Sequence, residues 1–334
     1  MGEGACSFGD RPNRGNIRGR LELTMDWNLL IAIGAAAIRS GTPILLACLG
    51  GIVTERSGVL TLGTEGMMLL GALAGFAGAS ATGSLALGFA AACAFGAALA
   101  LVHAALSVTL RANQVVSGLA LVLLATGISS LFGRPYVGQP IAGLSSLPVP
   151  LLAHLPFLGP ALFRHDAIVY ASYVLAPAAW WFLYKTRAGL HLRAVGERPE
   201  TADAMGVSVG ATRYAATLAG GALIGLGGAY LSLAYTPLWI EHMSAGRGWI
   251  AIALVIFAGW NPLRAFGGAY LFGGIDALQL RLQAAGSEVS PHLLLALPYI
   301  ATILVLAVAQ SPRARRRLGI PAALGLPYAR EERR

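Results

Sequence analysis

Apolar residues gather into long runs along this chain, at 28–52, 59–79, 85–108, 114–133, 167–184, 212–236, 247–260, 264–283 and 292–310. Most approach the roughly 20 residues that a helix rising about 1.5 Å per residue needs to cross about 30 Å of hydrocarbon. The pattern predicts an all-α polytopic membrane protein with about nine transmembrane helices, in a range of about eight to ten. One run is too short. GWIAIALVIFAGW, 248 to 260, reaches only about 20 Å as a helix and meets Asn261-Pro262 at once. A short or broken helix is predicted there, a form tolerated where protein or a water-filled cavity surrounds it.

Polar stretches between the runs set the orientation. Lys185, Arg187, Arg193 and Arg198 lie in the loop 185–211, and RARRR (313 to 317) lies in a basic tail, 312–334. Basic residues mark the cytoplasmic side. The loop 134–166 holds two arginines and six prolines, which places it outside. Counting back puts Arg111 and Glu55-Arg56 inside and residue 26 outside. The polar, glycine-rich residues 1–24 lack the apolar core of a cleavable signal. They read as a disordered arm or as a start assigned upstream of Met25, and the permeating domain as 25–311. Gly71 with Gly75, and Gly221 with Gly225, make GxxxG spacings of the kind that lets helices approach closely in lipid.

Composition agrees with this solvent. The chain is 56% hydrophobic and 12% charged, against about 25% charged in a soluble domain. The net charge of +9 sits mostly in loops and tail, without the basic stretches interleaved with aromatics that nucleic acid requires. Cys6, Cys48 and Cys93 are scattered, so neither a disulfide nor a metal site is expected.

Glu65 interrupts GVLTLGTEGMMLLGALAGF, 58 to 76. A carboxylate at a helix centre costs roughly 2.5–3.5 kcal/mol, so Glu65 should face the bundle or a cavity. It either lines a solute path or pairs with a basic group such as Arg39. Asn113-Gln114 with Ser117 opens the fourth run. Asp276, Gln279 and Gln283 share a helix face, whereas His103 is isolated and reads as a packed core residue. No chain of Asp, Glu and His runs through successive spans, which disfavours a proton-driven carrier. Lys185, the sole lysine, has no GxxxxGK[ST] around it, and neither HExxH nor GxSxG occurs in the spans. The chain is therefore expected to be no enzyme and to bind no ATP itself. ERPETADAMG, 197 to 206, predicts a two-turn cytoplasmic helix with Pro199 in its first turn, Glu200 and Asp203 towards its positive end and Gly206 closing it.

GVLTLGTEGMMLLGA, NQVVSGLAL, GLHLRAVGERPETADAMGVSVGATRYAATLAGGALIGLGGAYLSL and EHMSAGRGWIAIALVIFAGWNPLRAFGGAYLFGGIDALQLRLQ together resemble one family over about 27–330. It is the permease subunit of binding-protein-dependent ABC importers, in the branch for ribose, other simple sugars and nucleosides, and the nucleoside subgroup looks most similar. The resemblance implies a second, related permease, a cytoplasmic ATPase that holds ATP and magnesium, an extracytoplasmic substrate-binding protein, and the bacterial cytoplasmic membrane. It implies that Glu197, Arg198, Pro199, Glu200, Asp203 and Gly206 couple to the ATPase. It also places Glu65 at the translocation path, where Asn113, Gln114 and Ser117 are chemically apt partners for a neutral, hydroxyl-rich cargo and Asp276 is a further polar candidate. Glu241, His242 and Arg247 lie on the outer side, where a binding protein would dock. The family pattern resembles NIGLEGMM, whereas this chain reads TLGTEGMM, with Thr61 in place of the asparagine. The competing reading is an ion-coupled secondary carrier.

Overall fold

A computed structural model describes residues 27–156, 158–284, 290–309 and 319–329. The prefix 1–24 and the arginines of 313–317 lie outside the described residues. Each predicted run contains a long or short helix. They are α1 (Trp27–Glu55), α2 (Thr64–Thr82), α3 (Leu85–Ala104), α4 (Gln114–Gly133), α5 (Leu158–Leu162), α6 (Ala167–Lys185), α7 (Arg187–Glu197), α8 (Pro199–Ala204), α9 (Val209–Tyr230), α10 (Arg247–Phe257), α11 (Pro262–Ala284) and α12 (Pro291–Ala309). Among the described residues the only paired strands are β1 (Leu147–Pro148) and β2 (Arg164–His165), an antiparallel pair in the predicted outer loop. Among the described residues five helical stretches are long and apolar enough to cross a bilayer on length and composition alone: Leu30–Glu55, Leu85–Thr109, Gln114–Tyr136, Ala167–Lys185 and Val209–Tyr235. The protein is an all-α polytopic membrane protein.

The sequence explains where the helices start. Ser84, Asn113, Asp166, Thr186 and Ser208 each stand one residue before a helix and accept a hydrogen bond from an amide in its first turn. Such caps satisfy donors that would otherwise lack a partner. α3 and α9 each run on into one π-helical turn, Ala105–Thr109 and Leu231–Tyr235.

α1 is the axis of the bundle. From Ser40 to Val59 every residue is buried, and Leu45 to Leu49 are at most 1% exposed. α9 runs antiparallel beside it: Gly50 abuts Gly220, and Gly227 abuts Pro43. α2 lies parallel to α9, with Gly71 on Gly225 and Gly75 on Ala229, while α3 passes Gly96 against Gly221 on the same ridge. The two GxxxG spacings thus meet at Gly71 and Gly225. Where backbones touch in this way, a methyl group has no room, and dispersion contacts hold helices that hydrophobicity cannot hold in lipid.

Two spans are discontinuous. The second predicted run was expected to be helical from residue 59, but α2 begins only at Thr64, after a buried non-helical stretch. The short seventh run is helical for 11 residues. α10 runs parallel to α1: Gly51 meets Val255, and Arg56 reaches Gly259 and Trp260. At its other end, Arg247 and Ser40 share Asp276. α10 therefore starts level with the middle of α1 and stops at its end, a half-helix of roughly 16 Å.

Candidate functional site

The site is built around the start of α10, where the first turn of α2 also arrives. Glu65 is not at a helix centre, as its apolar surroundings suggested, but in that first turn. Its carboxylate accepts from the Ser244 hydroxyl at 2.6 Å and the Gly246 amide at 3.0 Å on one oxygen. The other oxygen accepts from the Gly248 amide at 2.7 Å. Three donors converging on one side chain offset the cost of carrying a polar group into a span. The expected alternative, a pair with Arg39, is not formed, since Arg39 donates to the Ala234 carbonyl.

Glu65 thus caps the positive end of α10 from another span, where no side chain of Gly246 could. Gly246 has φ 80°, which favours glycine. At Gly248 a Cβ would fall 2.5 Å from the Glu65 Cα, so no other residue fits. The negative end of α10 is met by Arg56, which donates to the carbonyls of Trp260 at 3.2 Å and Gly259 at 3.3 Å. Trp260 itself donates from Nε1 to Glu55 at 2.7 Å. One stretch of chain, 55 to 65, therefore supplies an anion to the amino end of the half-helix and a cation to its carboxyl end. Both complement the helix dipole.

Between the amides that Glu65 holds, the Arg247 side chain turns to the other side. It was expected on the outer surface, but its guanidinium lies 3.0 Å from Asp276 with only 15% of the side chain exposed. It stacks on Tyr235 at 5.5 Å. Asp276 also accepts from the Ser40 hydroxyl. Arg247, Asp276 and Gln279 line a cavity of about 370 Å³ with Ile44, Ile250 and Phe272, and Tyr299 at its edge. Glu241 and His242 do stay exposed.

Asn113, Gln114 and Ser117 form a second group, and they do not line this cavity. Asn113 is exposed and caps α4 through the amides of Val115 and Val116. Gln114 Oε1 accepts from the Leu60 amide at 2.7 Å. The His103 Nε2–H donates to the Leu60 carbonyl at 2.9 Å, leaving Nδ1 to accept from Ser117 at 3.0 Å. These residues serve the non-helical stretch before α2. Two buried atoms there, Thr61 Oγ1 and Gln114 Nε2, have no hydrogen-bond partner among the described residues.

In the loop 185–211 the predicted single helix is two. α8 begins at Pro199, which occupies its first turn, and Gly206 follows with φ 83°. Glu197 instead ends α7, and Arg198 is the junction. The sequence reading missed α7, whose Leu192, Val195 and Gly196 are buried beneath the α1–α2 connection. It also missed Met205, 80% exposed directly after α8. Residues 319–326 pass under the same place: Arg56 donates to Gly319, Ala323 to Gly196, Gly325 to Gly58, and Arg213 to Leu326. Among the described residues no group of His, Cys, Asp and Glu is arranged to hold a metal.

Discontinuous helices that meet half-way along a span, above a pair of short helices outside the spans, fit a transport subunit. Residues 34–321 match the family described as branched-chain amino acid transport system / permease component, and the chain belongs to it. It is 45% identical over 318 residues to TsgC13 of Haloferax volcanii, provisionally named a glucose ABC transporter permease protein, covering 89% of this chain and 97% of that one. It is 33% identical to the guanosine ABC transporter permease protein NupQ of Bacillus subtilis, over 91% of this chain and 98% of that one. It is 35% identical to the nucleoside ABC transporter permease protein NupC of Lactococcus lactis, over 84% and 93%. No solved structure matches the chain. This is a multi-pass permease subunit of an ABC transporter.

Proposed function

We propose that the chain is half of the conduit of an importer for nucleosides or simple sugars in a bacterial cytoplasmic membrane. A related second permease completes the conduit, a binding protein delivers cargo outside, and a separate ATPase holds ATP and magnesium. The observation that carries this reading is the α10 half-helix. Its inner end is tied by Arg56 to the seat of α7 and residue 319, and its inward-facing amino end by Glu65. Movement of α7 and α8 with the ATPase would therefore reach the middle of the bundle through one short rigid element, as alternating access requires. The relatives whose names specify glucose, guanosine and nucleosides support the cargo class. Glu200 and Asp203 belong to the face that docks the ATPase, with Met205 as its apolar tip, and Glu241 and His242 to the face that meets the binding protein.

The test is uptake by proteoliposomes holding this chain with the ATPase, second permease and binding protein encoded beside it. ATP-dependent accumulation of D-glucose or uridine is expected. The double variant Glu200→Arg, Asp203→Arg should abolish both uptake and ATPase capture while leaving membrane insertion intact. Ion-gradient-driven uptake by the chain alone, indifferent to ATP, would establish the secondary carrier instead.

A further inference from the structure

We propose that the cavity beside the start of α10 is a resting site for a neutral, hydroxyl-bearing ring solute, and that Gln279 reads it; this rests on the importer reading above. The lining fixes the ligand's chemistry. Arg247 and Asp276 are its charged members and lie 3.0 Å apart, so the wall carries no net charge. An ionic cargo would have to break that pair. A neutral solute need not: its hydroxyls can accept from the remaining guanidinium N–H groups and donate to the carboxylate, because both are partly exposed to the cavity.

Gln279 supplies the independent observation. The residue is 3% exposed and lines the cavity. Its amide offers both donor and acceptor, which suits a hydroxyl, itself both. Ile44 and Ile250 from other helices, and Phe272 two turns along α11 from Gln279, also line it and provide apolar surface for the C–H face of a ring. The volume of about 370 Å³ lies at the low end of the roughly 300–1,000 Å³ typical of small-molecule sites. That admits a single sugar or a nucleoside and excludes peptides and longer saccharides. The site's charged pair is positioned from outside the cavity, since Glu65 holds the amides on either side of Arg247.

The experiment places a cysteine at the reading position. Gln279→Cys is made in a full-length chain with Cys6, Cys48 and Cys93 replaced, and the assembled transporter in membrane vesicles is treated with a small water-soluble methanethiosulfonate. Labelling is expected, slowed about tenfold by millimolar D-glucose or uridine and unaffected by betaine, which carries charge and no hydroxyl. No labelling, or labelling that neither probe slows, overturns the assignment. A second variant covers failure of the first to assemble. Gln279→Leu should lower uptake of sub-saturating probe about tenfold while ATPase activity stimulated by the binding protein stays within about twofold, with Gln279→Asn recovering part of the loss. Equal uptake by Gln279→Leu and the parent also overturns it. The importer reading is judged separately, by whether the unsubstituted transporter accumulates either probe with ATP.

Discussion

The non-helical stretches 56–63 and 236–246 each interrupt a span, yet their backbones are satisfied in opposite ways. In the first, side chains from distant elements do the work. Gln114 accepts from the Leu60 amide, His103 donates to its carbonyl, Glu55 accepts from the Thr61 amide, and Arg213 donates to the Ser57 carbonyl. In the second, another backbone does much of it. Ile141 donates to the Pro237 carbonyl, and residues Val137 and Pro140 bridge to Trp239 and Leu238. Trp239, 1% exposed, plugs that stretch into the bundle. Irregular backbone away from water needs every group paired. The difference teaches that the inner break depends mainly on individual buried side chains, with the Gly325 amide on the Gly58 carbonyl, whereas the outer break leans on a loop and on one carboxylate, Glu65.

Substitutions that remove a partner should therefore rank by the summed cost of the groups each leaves unpaired. Glu65→Leu is expected to have the largest effect. It leaves three donors of the outer break unpaired, at about 1–3 kcal/mol each. A fall in melting temperature of the purified subunit and loss of ATP-dependent uptake are both expected, and Glu65→Gln should recover part of each. If Glu65→Leu melts with the parent, the cap at α10 is not what holds the second break. Arg56→Leu comes next, because it uncovers the carbonyls of Gly259, Trp260 and Gly319 together. Breaking such a buried cation costs roughly 3–5 kcal/mol, and proteolysis near 319–326 should accelerate in the same variant. Gln114→Leu removes one acceptor from Leu60, so a loss of about 1–3 kcal/mol is expected, read by hydrogen exchange at the Leu60 amide. Asn113→Ala, a helix cap with no part in either break, should cost only about 1 kcal/mol and leave uptake near normal.

The apolar pattern made the spans legible, and the charge pattern made the cytoplasmic helix legible at Pro199 and Gly206. The start of α2 was not legible, because Val59, Leu60 and Leu62 are as apolar in an extended chain as in a helix. α7 hid behind Gly189, Gly196 and its own charges, which read as loop until Leu192 and Val195 are seen to be buried. At the candidate site, Asp276 and Gln279 were placed on one face, and both line the cavity. Arg247 was read as an outer contact because its position in the chain, and not its direction, is what the letters give. The partner of Glu65 was hidden for a simpler reason. Two of its three donors are main-chain amides, which every non-proline residue has, so no residue type announces them.

The strand of chain beneath the inner break has a consequence for how the subunit is made. Gly319 follows Arg56 by 263 residues, a delay of roughly 13–50 s at the usual pace of synthesis. Arg56 waits for the Gly319 carbonyl through that interval, and Arg213 waits for the Leu326 carbonyl through the last 113 residues. A subunit cut short before residue 319 would leave the α1–α2 connection without the segment that closes it from below.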